Sequence, residues 1–133
     1  MTQTKGSDAE REVSDRLEDD LGYAAQRTGA SGGATGRPRP DVIAGRHGEA
    51  YAIEVKAWAD ATGSLKRAEI EQLLDYATRF GATPVVLVRP DLRSFDRWHC
   101  YHLTDLHETA GGNWSVRQAE VPGRSFEEVF DGE

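Results

Sequence analysis

One cysteine, Cys100, stands in a chain of 133 residues. An internal disulfide is excluded, and a reducing cytoplasm is the expected compartment. Lysine is nearly as scarce: Lys5, Lys56 and Lys66 stand against thirteen arginines. The longest purely aliphatic run is Val85-Val86-Leu87-Val88. It falls far short of the ~20 apolar residues that carry a helix across a bilayer, so no membrane association is expected. The opening MTQTKGSDAERE has no apolar stretch of the kind a signal peptide needs. Internal repeats and low-complexity segments are also lacking. What is present, 38% hydrophobic residues over this length, suits one compact domain spanning 1–133 with one modest core.

The charge is acidic and uneven. Sixteen basic residues face 23 acidic ones, a net charge of −7. That balance by itself speaks against a nucleic-acid partner, which calls for a basic face. Its distribution says something else. Residues 1–21 sum to −4 and residues 104–133 to −5, whereas residues 22–58 sum to +2. An acidic shell with little lysine is one way to stay soluble in very high salt. A halophilic source is therefore expected, with an ordinary acidic cytoplasmic protein as the plainer alternative.

The periodicity predicts an α/β fold. Ser7 or Asp8 can cap a helix over about 8–22, with Val13, Leu17 and Leu21 as its apolar stripe and Gly22 as its stop. Residues 23–27 suit a short edge strand. Residues 28–40 are rich in glycine, arginine and proline and hold no regular element; they suit a mobile loop. Two strands, 41–44 and 51–58, follow around a turn at 46–49. A second helix over about 66–80 carries Ile70, Leu73, Leu74 and Ala77 inward and ends at Gly81. Strands are predicted at 83–89, 98–103 and 114–118, then a short helix near 125–130. The terminal SFEEVFDGE suits a solvated amphipathic tail. This order gives a mixed sheet with a helix on each face.

The two strands after the loop carry charges where core is expected. Tyr51, Ile53 and Val55 alternate with Ala52, Glu54 and Lys56, so Glu54 and Lys56 share a face about 7 Å apart. Asp41 opens the neighbouring strand. Two carboxylates converging at strand ends make an oxygen site for a hard divalent cation, with positions left for phosphate. A lysine beside it can orient or deprotonate water, or neutralise charge in the transition state. Phosphodiester hydrolysis needs that combination. Pro40-Asp41, twelve residues, then Glu54-Val55-Lys56 fits the pattern of the PD-(D/E)XK nuclease superfamily. A hairpin with an exposed Glu–Lys pair, worth little energetically, fits the same residues; the apolar context of both acids favours the nuclease. At 100° per residue, Glu10 falls within about 20° of Leu17 and Leu21 on the inward stripe of the first helix. A helix-dipole role is the plain explanation, but Glu12 could serve it from another face. A third carboxylate aimed at a metal explains the inward position.

Further residues carry a resemblance. Lys5-Gly6-x-x-Ala9-Glu10-Arg11-Glu12, Gly22-Tyr23-Ala24, Arg27, Gly29-Ala30-Ser31-Gly32, Pro40-Asp41-Val42-Ile43-Ala44-Gly45, Ala52-Ile53-Glu54-Val55-Lys56, Leu73, Tyr76 and Arg79-Phe80-Gly81-Ala82 resemble the archaeal Holliday-junction resolvases over about residues 5–100. The ending His107-x-Thr109-x-Gly111-Gly112-Asn113-Trp114-x-Val116 is similar to the salt-adapted, haloarchaeal-type branch. The resemblance implies a restriction-endonuclease-like PD-(D/E)XK fold and a crossover junction endonuclease active in recombination and repair. It implies a Mg²⁺ cofactor, with Mn²⁺ as a substitute, held by Glu10, Asp41, Glu54 and Val55. Lys56 would assist the attacking water, and Ser31 in the loop would approach the cleaved strand. Arg11, Arg27, Arg37, Arg39 and Arg89 would contact DNA. Tyr76 and Phe80 would form a homodimer contact, as two symmetric nicks in a four-way junction require two identical sites. Two alternatives stand beside this: a repair- or restriction-type nuclease acting on duplex DNA, and a non-catalytic DNA-binding relative, which would have no use for clustered carboxylates. The four histidines lack metal-ligand spacing with a cysteine pair and suit structural roles. Trp58, Trp98 and Trp114 suit the core.

Overall fold

The computed structural model describes residues 5–28, 39–58, 64–90, 98–108, 110–112, 114–115 and 124–131. Helix α1 (Lys5–Leu21) starts earlier than the expected 8–22 and ends at Gly22, whose φ of 76° is the left-handed conformation that glycine adopts without strain. The Tyr23 N–H returns to the Leu17 carbonyl at 2.9 Å and turns the chain into β1 (Ala24–Arg27). Then come β2 (Val42–Arg46), β3 (Glu49–Trp58), the short β4 (Ser64–Leu65), α2 (Arg67–Phe80), β5 (Thr83–Pro90) and β6 (His99–His102). A 3-10 turn at Leu103–Asp105, β7 (His107–Glu108), β8 (Trp114–Ser115) and α3 (Phe126–Phe130) complete the described elements.

The main sheet has the order β1-β2-β3-β5-β6, with β1 at its edge as expected. Among the described residues of this sheet, only β3 and β5 run parallel, with Glu54 opposite Val86 and Lys56 opposite Val88. A parallel pair needs a crossover, and α2 supplies it, so the first turn of α2 lies near the C-terminal end of β3. A second, small sheet has the order β4-β8-β7.

The sheet separates two cores. On one side Ala9, Val13 and Leu17 of α1 pack with Val42, Ala44, Ile53, Val55, Val85, Leu87 and Trp98. On the other, Ile70, Leu73 and Ala77 of α2 pack with Ala52, Leu65, Val86, Val88 and Tyr101. Cys100 is fully buried, and burial pushes its thiol up to about 12, leaving it protonated and unreactive. Among the described residues, no helix is long and apolar enough to cross a membrane.

Two expectations are corrected. Leu74 does not complete the inward stripe of α2; it is 49% exposed. The buried arc is the narrower Ile70–Leu73–Ala77, with Tyr76 packed at its side, and Leu74 falls just outside it. The C-terminal segment is no solvated tail either. Phe126, Val129 and Phe130 are buried in the α1 core. The Phe130 ring meets Tyr23 edge-on at 5.9 Å and Tyr51 at 5.0 Å. The Arg46 guanidinium donates to the carbonyls of Leu21 (2.6 Å), Phe130 (3.0 Å) and Asp131 (2.8 Å), satisfying the ends of two helices at once. The acids of this segment suggested solvent, but its i, i+3, i+4 apolar spacing describes a docked turn of helix.

Candidate active site

Strand alternation explains the charges of β3. Ile53 and Val55 point into the α1 core, so Ala52, Glu54 and Lys56 point to the α2 side. Ala52 is fully buried beneath α2. Two and four residues on, the strand reaches the start of that helix. There the Glu54 and Lys56 side chains keep 17% and 21% exposure, enough to be reached by a ligand.

Asp41 precedes β2 and is locked to β3. Its backbone N–H donates to the Ile53 carbonyl at 3.0 Å, and its Oδ2 accepts the Val55 N–H at 2.9 Å. Its carbonyl accepts from the Thr28 N–H at 3.2 Å, which ties the end of β1 to the same corner. Glu10 reaches this corner from α1. It lies close enough to Asp41 to feel its charge, and its Oε1 lies 3.7 Å from Arg27 Nε. The inward position read from the helical wheel is therefore real: Glu10, Asp41, Glu54 and Lys56, up to 46 positions apart in sequence, meet at one end of the sheet.

The carboxylates strain one another. Burial and then the Asp41 charge push Glu54 up to about 8, against the opposing pull of Lys56. Burial and Asp41 likewise push Glu10 up to about 7, with Arg27 opposing. Asp41 is raised by burial, and the Val55 N–H, Lys56 and Glu10 hold it back. Lys56 behaves oppositely: burial would lower it, but the hydrogen bond to Glu69 and the surrounding acids raise it, so it stays an ammonium.

Among the described residues, no three acidic, histidine or cysteine side chains form a ready-made metal cage. The donor set nevertheless fits a hard cation. Mg²⁺ commonly takes only one or two carboxylates and fills its octahedron with water and substrate phosphate. A divalent charge here would favour the ionised forms of Glu10 and Glu54, which burial and the Asp41 charge oppose. Val55 gives its N–H to Asp41 and its side chain to the core, so its carbonyl is the one group it could offer a cation.

Of the expected DNA contacts, Arg27 faces Glu10 at this corner. Arg11 is exposed and 3.5 Å from Asp8; Arg39 is exposed. Ser31 and Arg37 lie outside the described residues. Arg89 ion-pairs with Glu12 and stacks over Trp98 at 5.0 Å, while Trp98 Nε1 donates to Glu12 at 2.9 Å. Tyr76 and Phe80 stack on each other, centroids 5.7 Å apart, and Phe80 is 51% exposed. Sequence reasoning missed Glu69, whose Oε2 accepts from Lys56 Nζ at 2.7 Å. It also gave Glu12 no partner. The acid at the third position of α2 was a signal for Glu69, since a parallel crossover returns that turn to the end of β3.

A mixed sheet with an acid at the mouth of one strand, an acid-x-lysine on the next and a helix glutamate beside them defines a restriction-endonuclease-like nuclease chain. More particularly, the chain belongs to the archaeal Holliday junction resolvase (Hjc) family, whose model matches residues 1–133. It is 31% identical over 118 residues to a crossover junction endodeoxyribonuclease Hjc of Archaeoglobus fulgidus, covering 82% of this chain and 83% of that protein. A second such enzyme, from Methanocaldococcus jannaschii, is 33% identical over 85 residues, 64% of this chain and 59% of the relative. The crystal structure of the A. fulgidus Hjc superposes with a TM-score of 0.78 at 30% identity, covering 95% of each chain.

Proposed function

We propose that this protein is a structure-selective endonuclease that resolves four-way DNA junctions by paired, metal-dependent phosphodiester hydrolysis. The observation that carries this is the convergence of Glu10, Asp41 and Glu54 with a charged Lys56 at an accessible end of the sheet. Family membership supports it, as does the naming of the relatives as crossover junction endodeoxyribonucleases.

Asp41 and Glu54, with Glu10 and the Val55 carbonyl, would hold Mg²⁺, for which Mn²⁺ can substitute. When bound, the cation supplies a lowered pKa for water and neutralises charge on the phosphate. Lys56 holds the attacking water or the phosphate oxygen and balances the charge that develops there. Glu10 would add its carboxylate to this set, with Arg27 at 3.7 Å favouring its ionised form. Arg11, Arg27, Arg37, Arg39 and Arg89 hold the phosphate backbone, and Ser31 in the loop 28–40 approaches the cut strand. Residues 1–133 act as one nuclease domain.

A homodimer completes the reading. Stacked Tyr76 and Phe80, together with exposed Leu74, leave apolar surface on α2. Phe80 borders a groove of about 210 Å³ lined by Ala24, Gln26, Ile43, Gly45 and Ala50 of the uncovered sheet edge. A second copy seated here would bury this face and give two sites related by a two-fold axis. The net charge of −7 supports a salt-adapted binder whose affinity rests on junction shape and phosphate hydrogen bonds. Its log–log salt slope would be shallower than the roughly −0.9 per phosphate contact of ordinary basic DNA binders.

The test is cleavage of a labelled synthetic four-way junction beside a linear duplex of the same sequence, with Mg²⁺ across a KCl series. Paired nicks in opposite strands of the junction, with duplex intact, are expected. Equal cutting of both would move the assignment to a general duplex nuclease. Phe80→Asp is expected to give monomers in sedimentation and to lose the pairing of the nicks.

A further inference from the structure

Lys56 has four rotatable side-chain bonds and stands on a strand, so its ammonium needs something to hold it in place. Two carboxylates are close. Glu54 Oε2 lies at 3.8 Å, beyond hydrogen-bond distance, and Glu69 Oε2 at 2.7 Å, within it. Glu69 is itself fixed: its other oxygen accepts the Lys66 backbone N–H at 3.0 Å, at the start of α2. A chain of two short contacts thus runs from the backbone of α2 through Glu69 to the ammonium. The Glu69 side chain is only 32% exposed, unlike the solvent-facing Arg67–Glu71 and Arg79–Asp75 pairs of the same helix, whose side chains are all at least 65% exposed. Capping α2 needs one carboxylate oxygen and would be served by a side chain lying along the helix; it does not require the second oxygen to face the sheet.

Glu54 and Asp41 belong to the proposed cation site, and a carboxylate committed to a cation is a poor anchor for a neighbouring ammonium. Glu69 stands on a different element and is free of that duty. We propose that Glu69 is a positioning residue: it fixes the Lys56 ammonium beside the scissile phosphate while Glu54 and Asp41 serve the cation. This rests on Lys56 acting in the cleavage step.

Glu69→Gln separates anchoring from capping. Its amide oxygen can still accept the Lys66 N–H, while its NH₂ then faces the ammonium and repels it. Four proteins are compared: wild type, Glu69→Gln, Lys56→Gln and the double variant. Each is assayed for single-turnover cutting of a labelled four-way junction, junction affinity and thermal midpoint. The expected result for Glu69→Gln is a rate lowered by about tenfold to a hundredfold, the usual consequence of a misplaced catalytic group. Junction affinity and thermal midpoint stay at wild-type values, and no further loss appears when Lys56→Gln is already present. Independently, the ε-ammonium proton–nitrogen NMR signal of Lys56 should be protected from water exchange in the wild type and lost in Glu69→Gln. Where Lys56→Gln cuts too slowly for the cycle, that signal decides. Wild-type cutting by Glu69→Gln, or an unchanged Lys56 signal, overturns the proposal, as does an equal loss in both backgrounds. Wild-type cutting by Lys56→Gln would instead remove the role of the lysine itself and the proposal with it; the NMR signal would then report an anchor with no catalytic use.

Discussion

The two faces of β3 use one strand for opposite ends. Toward α1, Ile53 and Val55 lie in a dry core with Val13, Leu17 and Leu87. Toward α2, Ala52 is buried, but Glu54 and Lys56 follow it into a cluster of acids whose pKa values burial raises first, with neighbouring charge adding to Glu10 and Glu54. The difference lies in where the helices end. α1 covers its side of the strand, while α2 begins just where Lys56 stands. A charge is tolerated on a central strand when it emerges from under a helix terminus, near partners from other elements and within reach of a ligand. Under the proposed function, the raised pKa values of Glu10, Asp41 and Glu54 are the cost of keeping the site ready for a cation.

Substitutions on the two faces should separate activity from stability. The largest effect on activity is expected from Glu54→Gln: Mg²⁺-dependent cutting is lost, while junction binding in a gel-shift assay persists. If binding vanished with cutting, the charged face would be part of the fold rather than a chemical site. On the dry face, Ile53→Ala should cost about 2–5 kcal/mol, the range for truncating a buried isoleucine. It would be read from denaturant unfolding, with the cutting rate per folded molecule retained. Phe130→Ala should cost about 3–5 kcal/mol by the same measurement if α3 is truly core; a surface tail would show almost nothing.

The pH dependence of the metal-free protein sharpens the contrast further. Glu54 and Glu10 are raised from 4.5 to about 8 and about 7. The folded protein then holds protons that the unfolded chain has released. Their contribution to stability is full below about pH 4.5 and fades as pH rises through 7 to 8. The thermal midpoint of the metal-free protein should fall across this window, and Glu54→Gln should remove much of the fall. The smallest effect belongs to the outer surface of α2. Glu71→Ala breaks an exposed pair with Arg67 and should change stability by about 0.5 kcal/mol or less.

Much of this was legible in the sequence, for reasons that are local. Strand alternation at 51–56, the helical wheel that turned Glu10 inward, and Gly81 at the end of α2 all depend on near neighbours. The Asp41, Glu54 and Lys56 constellation was visible because a short turn joins its two strands, so sequence spacing translates into spatial spacing. Glu69 was not, because its contact with Lys56 exists only once the crossover returns α2 to the end of β3. The Glu12–Arg89–Trp98 cluster joins α1 to the far end of β5 and was hidden for the same reason. In α3, composition misled: Glu127 and Glu128 face solvent while Phe126 and Phe130 turn inward, and spacing was the better guide.

The central claim is that Glu10, Asp41 and Glu54, gathered at one end of the sheet, are kept for a divalent cation. Mg²⁺ titration of the DNA-free protein near pH 7, with proton release and thermal midpoint followed together, tests it most directly. Binding should expel protons held by Glu10 and Glu54 and raise the midpoint, more at pH 8 than at pH 5.5, and Glu54→Gln should weaken both responses. A wild-type protein that releases no protons and gains no stability on adding Mg²⁺ would contradict the account.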